Sequence, residues 1–312
     1  MKNHQQKIFS KEIDFFQAFF LMVMMDMNLM SKSQSVIGTL IFTVCISSTN
    51  ASPLEDKVNL LQQKGWKVGV SIFDSNSKKL ESVNGDTRFP LDSTVKALAC
   101  ANVLSNVDKG LLSLENKVLI EEKDVVSHSP VTMKLINKSI TLRDACAATT
   151  AYSDNTAANI AISSVGGPQK LTQFMRELGD TKTRSDRYEP ELVINPEFDL
   201  RDTTTTDAMS ESLSKLLVGN TLSKKSREQL KSWMMDNKVA DNMLRARLPN
   251  GWSIADRSGA SDYGIRGITS MVWSKTQEPL FISIYVRKSN TTLDERSRVI
   301  NEIGEVIFNR YN

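Results

Sequence analysis

Along most of this chain apolar residues recur at helical spacing. Strand-like alternation is confined to two stretches, one soon after residue 65 and one after residue 250. LEDKVNLLQQKG places Leu54, Val58, Leu60 and Leu61 in an apolar stripe with Gly65 as a stop, which predicts a short amphipathic helix. WKVGVSIFD then alternates, SNSK turns and KLESV returns, a strand-turn-strand signature. From ALACANVLSNVDKG onward the period becomes helical. LLSLENKVLI reads as a short helix or turn, and EEKDVVSHSPV as an extended connector broken at Pro130. ITLRDACAATTAY is a helix with Thr141 as cap and Asp144 three residues on. The pattern breaks at Ser153 and resumes with Asn155 or Thr156 as a cap, and PQKLTQFMRELG runs from Pro168 to Gly179. Residues 180–205 carry no periodicity. Two helices follow, TTTDAMSESLSKLLVG capped by Thr206 and SKKSREQLKSWMMDN, then three strands, WSIADRSG, IRGITSMVWS and PLFISIYVRK. The helix LDERSRVINEIGEVIFNRY closes the chain.

This order predicts an α/β fold of the α+β sandwich kind. Residues 52–90 and 240–312 supply a five-stranded antiparallel sheet with flanking helices, and residues 91–239 supply a mainly helical block, with active groups at the seam. Residues 1–51 read differently. Two apolar patches, 15–25 and 36–46, are separated by DMNLMSKSQ. The second has Lys32 before it and small residues after it, ending at Ala51. That arrangement matches an export signal, with the upstream residues as a long n-region or with Met30 as the true start. It predicts a periplasmic or secreted protein cleaved near Ala51. Membrane tethering by the upstream patch, or lipidation at Cys45, is the weaker reading.

With 39 basic and 36 acidic residues intermixed, the net charge of +3 leaves no basic stripe, so nucleic-acid binding has no support. Only His4 and His128 occur, and three cysteines, which argues against a His/Cys zinc site. Removing the leader takes Cys45 and leaves Cys100 and Cys146. In an oxidising compartment such a pair is expected to bridge, with two independent buried thiols as the alternative.

The candidate chemistry centres on FPLDSTVKALAC. A polar turn opens a helix, with Asp92 or Ser93 able to cap it, and Ser93 and Lys96 three apart share a face. A serine becomes nucleophilic when a neighbour takes its proton, and a lysine serves if burial or nearby cations lower its pKa. In the break after Tyr152, Ser153 and Asn155 lie in a tight polar turn where their side chains can point into a shared cavity. The long loop has Asp186 and Arg187 at one end and Arg201 and Asp202 at the other, so an Arg-to-Asp pair would pinch it shut. Glu189, between Tyr188 and Pro190, is a candidate inward-facing carboxylate.

Ser93–Lys96 (S-T-V-K), Ser153–Asn155 (S-D-N), Glu189 in D-R-Y-E-P-E-L and Arg257–Gly259 (R-S-G), in this order, resemble the motifs of the class A serine β-lactamases. The likeness is greatest to the carbenicillin-hydrolysing subgroup and covers essentially all of residues 52–312. The resemblance implies hydrolysis of penicillins, carboxypenicillins included, and of some cephalosporins through a serine acyl-enzyme, giving antibiotic resistance. It implies Ser93 as nucleophile, Lys96 in proton transfer, Ser153 as proton relay to the departing nitrogen and Glu189 as activator of the deacylating water. The Ser93 and Ala260 amides would form the oxyanion hole. Asn155, Arg257, Ser258, Gly259, Arg266, His128 and Ser261 would meet substrate. It further implies an Arg187–Asp202 loop clamp, a cis bond before Pro190, a Cys100–Cys146 bridge, no metal or cofactor, and a monomer without an obligate protein partner, acting on β-lactams and bound by mechanism-based inhibitors.

The chain departs from the family pattern at four places. Arg257 replaces the usual lysine, as in the carbenicillin-hydrolysing subgroup. His128 stands where an aromatic usually flanks the cleft, Ser261 where glycine is common, and Val193 where an asparagine usually helps to hold the water. Val193 predicts slower deacylation. A penicillin-binding or transpeptidase-like acyltransferase with slow turnover, and a non-catalytic envelope-binding protein, are the competing readings.

Overall fold

The computed structural model describes residues 51–311, so the expected leader and Cys45 lie outside the described residues. Among the described residues no helix is long and apolar enough to cross a membrane.

Helix α1 (Pro53–Gln63) is capped by Ser52, whose hydroxyl accepts from the Glu55 amide. Its buried face is Leu54, Val58 and Leu61, while Leu60 falls off that face and stays exposed. Strands β1 (Lys67–Asp74) and β2 (Leu80–Val83) form the expected hairpin. A short strand β3 (Arg88–Pro90) leads to a 3₁₀ turn, Asp92–Thr94, and then to helix α2 (Val95–Asp108). Every residue of α2 from Val95 to Ser105 is buried, which is the condition of a helix enclosed on all sides by others.

Strands β4 (Lys117–Leu119) and β5 (Ser139–Thr141) pair antiparallel. The segment read as a short helix or turn is thus partly extended, because its hydrogen-bond partner lies some twenty residues further along the chain. Helix α3 (Leu142–Tyr152) has the expected Thr141 cap, and its small residues pack deeply enough to join Cys146 to Cys100 in a disulfide, with Cα atoms 5.6 Å apart. Helices α4 (Asn155–Ser164) and α5 (Pro168–Glu177) follow, then the loop, a strand β6 (Thr203–Thr205) paired with β3, and helices α6 (Thr206–Leu217) and α7 (Lys224–Met235). Two caps differ from expectation. Asp154, not Asn155 or Thr156, caps α4, and Thr205, not Thr206, caps α6.

Strands β7 (Ser253–Ser261), β8 (Ile265–Trp273) and β9 (Leu280–Arg287) complete a five-stranded antiparallel sheet in the order β2-β1-β9-β8-β7. Strands β7, β8 and β9 are buried almost throughout, as strands covered on both faces must be, whereas β2 at the opposite edge has no fully buried residue. On one face Val68, Val70, Ile268 and Ile284 pack with α1 and helix α8 (Leu293–Phe308). On the other, Ala255, Met271 and Phe281 join the core of the helical block. Strand β7 is the edge that meets the 3₁₀ turn before α2.

Candidate active site

The nucleophile candidate is held at this seam. Gly259 of β7 passes so close to the turn that a Cβ there would stand 2.8 Å from the Ser93 nitrogen and 3.0 Å from Asp92 Cβ. Glycine is what lets the strand approach, and the approach brings Ser93 and Ala260 together in the lining of a cavity of about 380 Å³. Ser93, Ser153, Asn155, Glu189, Arg257 and Arg266 all line that cavity, as do His128, Val193, Ser258, Gly259 and Ala260.

Ser153 ends α3 with a positive φ of 61°, a turn that aims its hydroxyl back at α2. Ser153 Oγ lies 3.0 Å from Ser93 Oγ and 3.1 Å from Lys96 Nζ. Lys96 is wholly buried. Its ammonium also donates to the Ser153 carbonyl at 2.8 Å and to Asn155 Oδ1 at 2.5 Å, and stands 3.1 Å from Glu189 Oε1. Burial brings its pKa down to about 8, with Arg257 adding to the fall and Glu189 opposing it. Lys96 therefore remains mostly charged at neutral pH but can release its proton there. The Ser93 and Lys96 hydroxyl and ammonium are linked through Ser153, a connection that helical spacing alone does not reveal.

Glu189 enters from the loop, preceding a cis bond to Pro190. Asn159 of α4 holds its main chain on both sides: Nδ2 donates to the Glu189 carbonyl at 2.8 Å and Oδ1 accepts from its amide at 2.9 Å. The carboxylate is buried, yet neither oxygen has a hydrogen-bond partner among the described residues, because the Lys96 donors are directed at Ser153 and Asn155. Apart from the Lys96 ammonium, 3.1 Å from Oε1, its acceptor positions are open to a reactant. Arg187 Nε meets Asp202 Oδ2 at 2.6 Å, and the Asp186 and Arg187 amides donate to Asp202 Oδ1, so the ends of the loop are joined as the charge pattern predicts.

The cations are arranged less simply. Arg257 is fully buried, and its guanidinium points to the Ser93 carbonyl at 3.1 Å, to Asn237 and to Ser153 Oγ. Arg266, opposite Ala260 in the β7–β8 register, donates to Ser297 Oγ and to the Gly259 and Val239 carbonyls. Burial lowers both guanidinium pKa values to about 10, so both stay charged at neutral pH. Together they make this wall of the cavity positive and suited to an anionic ligand.

A family model described as "Beta-lactamase enzyme family" matches residues 53–311. The β-lactamase PSE-4 of Pseudomonas aeruginosa is 44% identical over 269 residues, 86% of this chain and 93% of that protein. The chain belongs to the class A β-lactamases. The β-lactamase AER-1 of Aeromonas hydrophila is 42% identical over 77% of this chain and 80% of its own length. Among solved structures, the chromosome-encoded β-lactamase of Vibrio parahaemolyticus superposes with a TM-score of 0.81 at 45% identity, covering 83% of this chain and 99% of that one.

Set against this β-lactamase frame, two expected site residues stand apart from the cavity lining. Lys96 lies beneath it, and Ser261 lies behind β7 with its hydroxyl buried and without a hydrogen-bond partner among the described residues. Asp92 does not cap α2: no side-chain hydrogen bond closes the helix start, and the carboxylate is buried instead. The sequence reading missed Asn159, which lies one helical turn after Asn155 and whose partner is thirty residues away. It also missed Asp154, whose carboxylate caps α4 and binds the Val131 and Thr132 amides.

Proposed function

We propose that Ser93 attacks the β-lactam carbonyl and that the ester so formed is hydrolysed by a water activated at Glu189. The reaction begins as the Ser93 proton passes to the buried Lys96–Glu189 pair. The carbonyl oxygen, becoming an oxyanion, lies between the Ser93 and Ala260 amides, where fixed donors in a dry site are worth most. As the ring opens, Ser153 gives its proton to the departing nitrogen and is replenished from Lys96. Glu189 then takes a proton from water, the water oxygen attacks the ester carbonyl, and Ser93 regains its proton as the acid product leaves.

Arg266 and Ser258 hold the substrate carboxylate, Asn155 its amide side chain, and His128 flanks the mouth. Arg257, whose donors are turned to the main chain and to Ser153, contributes its charge and orients Ser153 more than it grips the ligand. Penicillins, carboxypenicillins among them, and some cephalosporins are the substrates, in keeping with the carbenicillin-hydrolysing likeness of the sequence. Export with loss of residues up to about Ala51, and action as a monomer, complete the reading.

The observation that carries it is the set of contacts around Ser153 and Lys96: Oγ to Oγ at 3.0 Å, Oγ to Nζ at 3.1 Å, and Nζ to the buried Glu189 carboxylate at 3.1 Å. Steady-state hydrolysis of a chromogenic cephalosporin, with Ser93→Ala as control, tests it. Many turnovers abolished by the substitution are expected. A single stoichiometric burst favours the slow acyltransferase reading, and no covalent adduct favours a binding protein.

A further inference from the structure

Asp92, the residue before the nucleophile, has no part in the scheme above, yet it is a carboxylate buried in the protein beside the site. It is 1% exposed, and neither carboxylate oxygen has a hydrogen-bond partner among the described residues. Its φ of 42° is uncommon for a residue with a side chain, and its side chain makes no hydrogen bond that caps the helix start. There its Cβ packs against Gly259, the residue between the two anion-contacting positions Ser258 and Ala260. The neighbouring Ser261 hydroxyl comes close enough to favour the ionised carboxylate, though it makes no well-aligned hydrogen bond to it. The groups facing this pocket are Glu189 from the loop, Arg266 from β8, Arg296 from α8 and the Tyr285 hydroxyl of β9, with Arg257 of β7 on the adjoining Ser93 carbonyl.

We propose that Asp92 is a proton-controlled positioning residue for the oxyanion hole. Protonated, it lets the Ser93 and Ala260 amides bind the developing oxyanion unopposed; ionised, it sets a negative charge directly behind them and weakens that binding. The physical reason is that the oxyanion and an ionised Asp92 would be like charges separated only by the thickness of one strand, in a site screened from water. Burial, reinforced by Glu189, pushes the Asp92 pKa up to about 7, against the pull of Ser261, Arg296 and Arg266. The change of state thus falls near neutral pH. The mechanism has a second alkaline limit of its own, loss of the Lys96 proton at about 8.

The test is the pH profile of kcat/KM between pH 5.5 and 9.5 for a good penicillin, comparing the native enzyme with Asp92→Asn, which keeps the shape and removes the charge. The native profile should fall on the alkaline side with a midpoint near 7. In D92N the midpoint should move to near 8, with activity at pH 8.5 raised about tenfold relative to native and little changed at pH 6. A D92N profile displaced by the same factor at every pH would overturn the proposal, since that is what mere packing would give. A native profile with no fall below pH 8 would also overturn it. If D92N folds poorly, Ser261→Ala supplies the second arm. Loss of that neighbour, which favours the ionised form, should shift the native midpoint upward, and an unmoved midpoint would count against the proposal. Activity surviving in Ser93→Ala would instead overturn the acyl-enzyme scheme on which the proposal rests.

Discussion

Replacing Asp202 by alanine tests the loop clamp where the structure makes its magnitude calculable. Asp202 is buried, and its carboxylate receives Arg187 Nε at 2.6 Å, the Asp186 amide at 2.7 Å and the Arg187 amide at 3.1 Å. Removing it strands two main-chain donors, each worth about 1–3 kcal/mol when left unmade. The guanidinium is less affected, because it keeps the Ile194 carbonyl and Asn195 Oδ1 and lies 3.9 Å from Asp199. The Asp202 amide also keeps its bond to Asp186. The net loss is about 3 kcal/mol, concentrated on residues 186–202. Because Glu189 sits inside that segment and is fixed by Asn159 only at its main chain, the carboxylate loses its aim before the fold is lost. Stopped-flow kinetics with a penicillin should show acylation lowered by less than about fivefold and deacylation by about a hundredfold, so that the acyl-enzyme accumulates. Equal losses in both steps, or native deacylation with a protected loop in hydrogen exchange, would refute the reasoning.

Other outcomes follow from single residues. Val193 lines the cavity beside Glu189 and packs against the helical core. Val193→Asn should speed deacylation about three- to tenfold, the worth of one added hydrogen bond to the water, and unchanged single-turnover deacylation would count against this role. Cys100→Ser opens a loop of sequence separation 46, so it should cost about 4 kcal/mol and about 10 °C in Tm with kcat nearly retained. Two free thiols titrated in the native protein would rule the bridge out. Asp92 also has a signature in stability. Its folded pKa, raised to about 7, exceeds the unfolded value of 3.8, so the folded state binds the extra proton and stability declines as pH rises between these values. Asp92→Asn should therefore stabilise by about 4 kcal/mol at pH 8 and by nothing at pH 3. Denaturant melts showing no pH-dependent difference would contradict the burial of an unpaired charge.

What could be read from the sequence was what depends on neighbours along the chain. The three-residue spacing of Ser93 and Lys96, the break at Ser153, the small residues beside Cys146 and the charges ending the loop are local features, and the roles proposed for Ser93, Lys96 and Ser153 came from the resemblance of their motifs to a family rather than from spacing alone. The pairing of β4 with β5 was not legible, because Lys117–Leu119 is extended only by virtue of Ser139–Thr141. Nor was the turning of Arg257 towards Ser93 and Asn237, since nothing in R-S-G tells which way a guanidinium points. Asp92 shows the limit most clearly. Beside a helix start an aspartate reads as a cap, and only the arrival of β7 more than 160 residues later makes it a buried carboxylate with no well-formed hydrogen bond among the described residues. The local preference was overridden by a tertiary contact at a functional seam, where such conflicts are expected.

The central claim is that one serine is acylated and one glutamate releases it. Intact-mass analysis of Glu189→Gln after brief exposure to benzylpenicillin, followed by peptide mapping, tests both halves at once. The account predicts a stable adduct of the mass of the whole penicillin on the peptide carrying Ser93, persisting for minutes and absent from the double variant lacking Ser93. Rapid release from Glu189→Gln at the native rate, or an adduct on another residue, would contradict it.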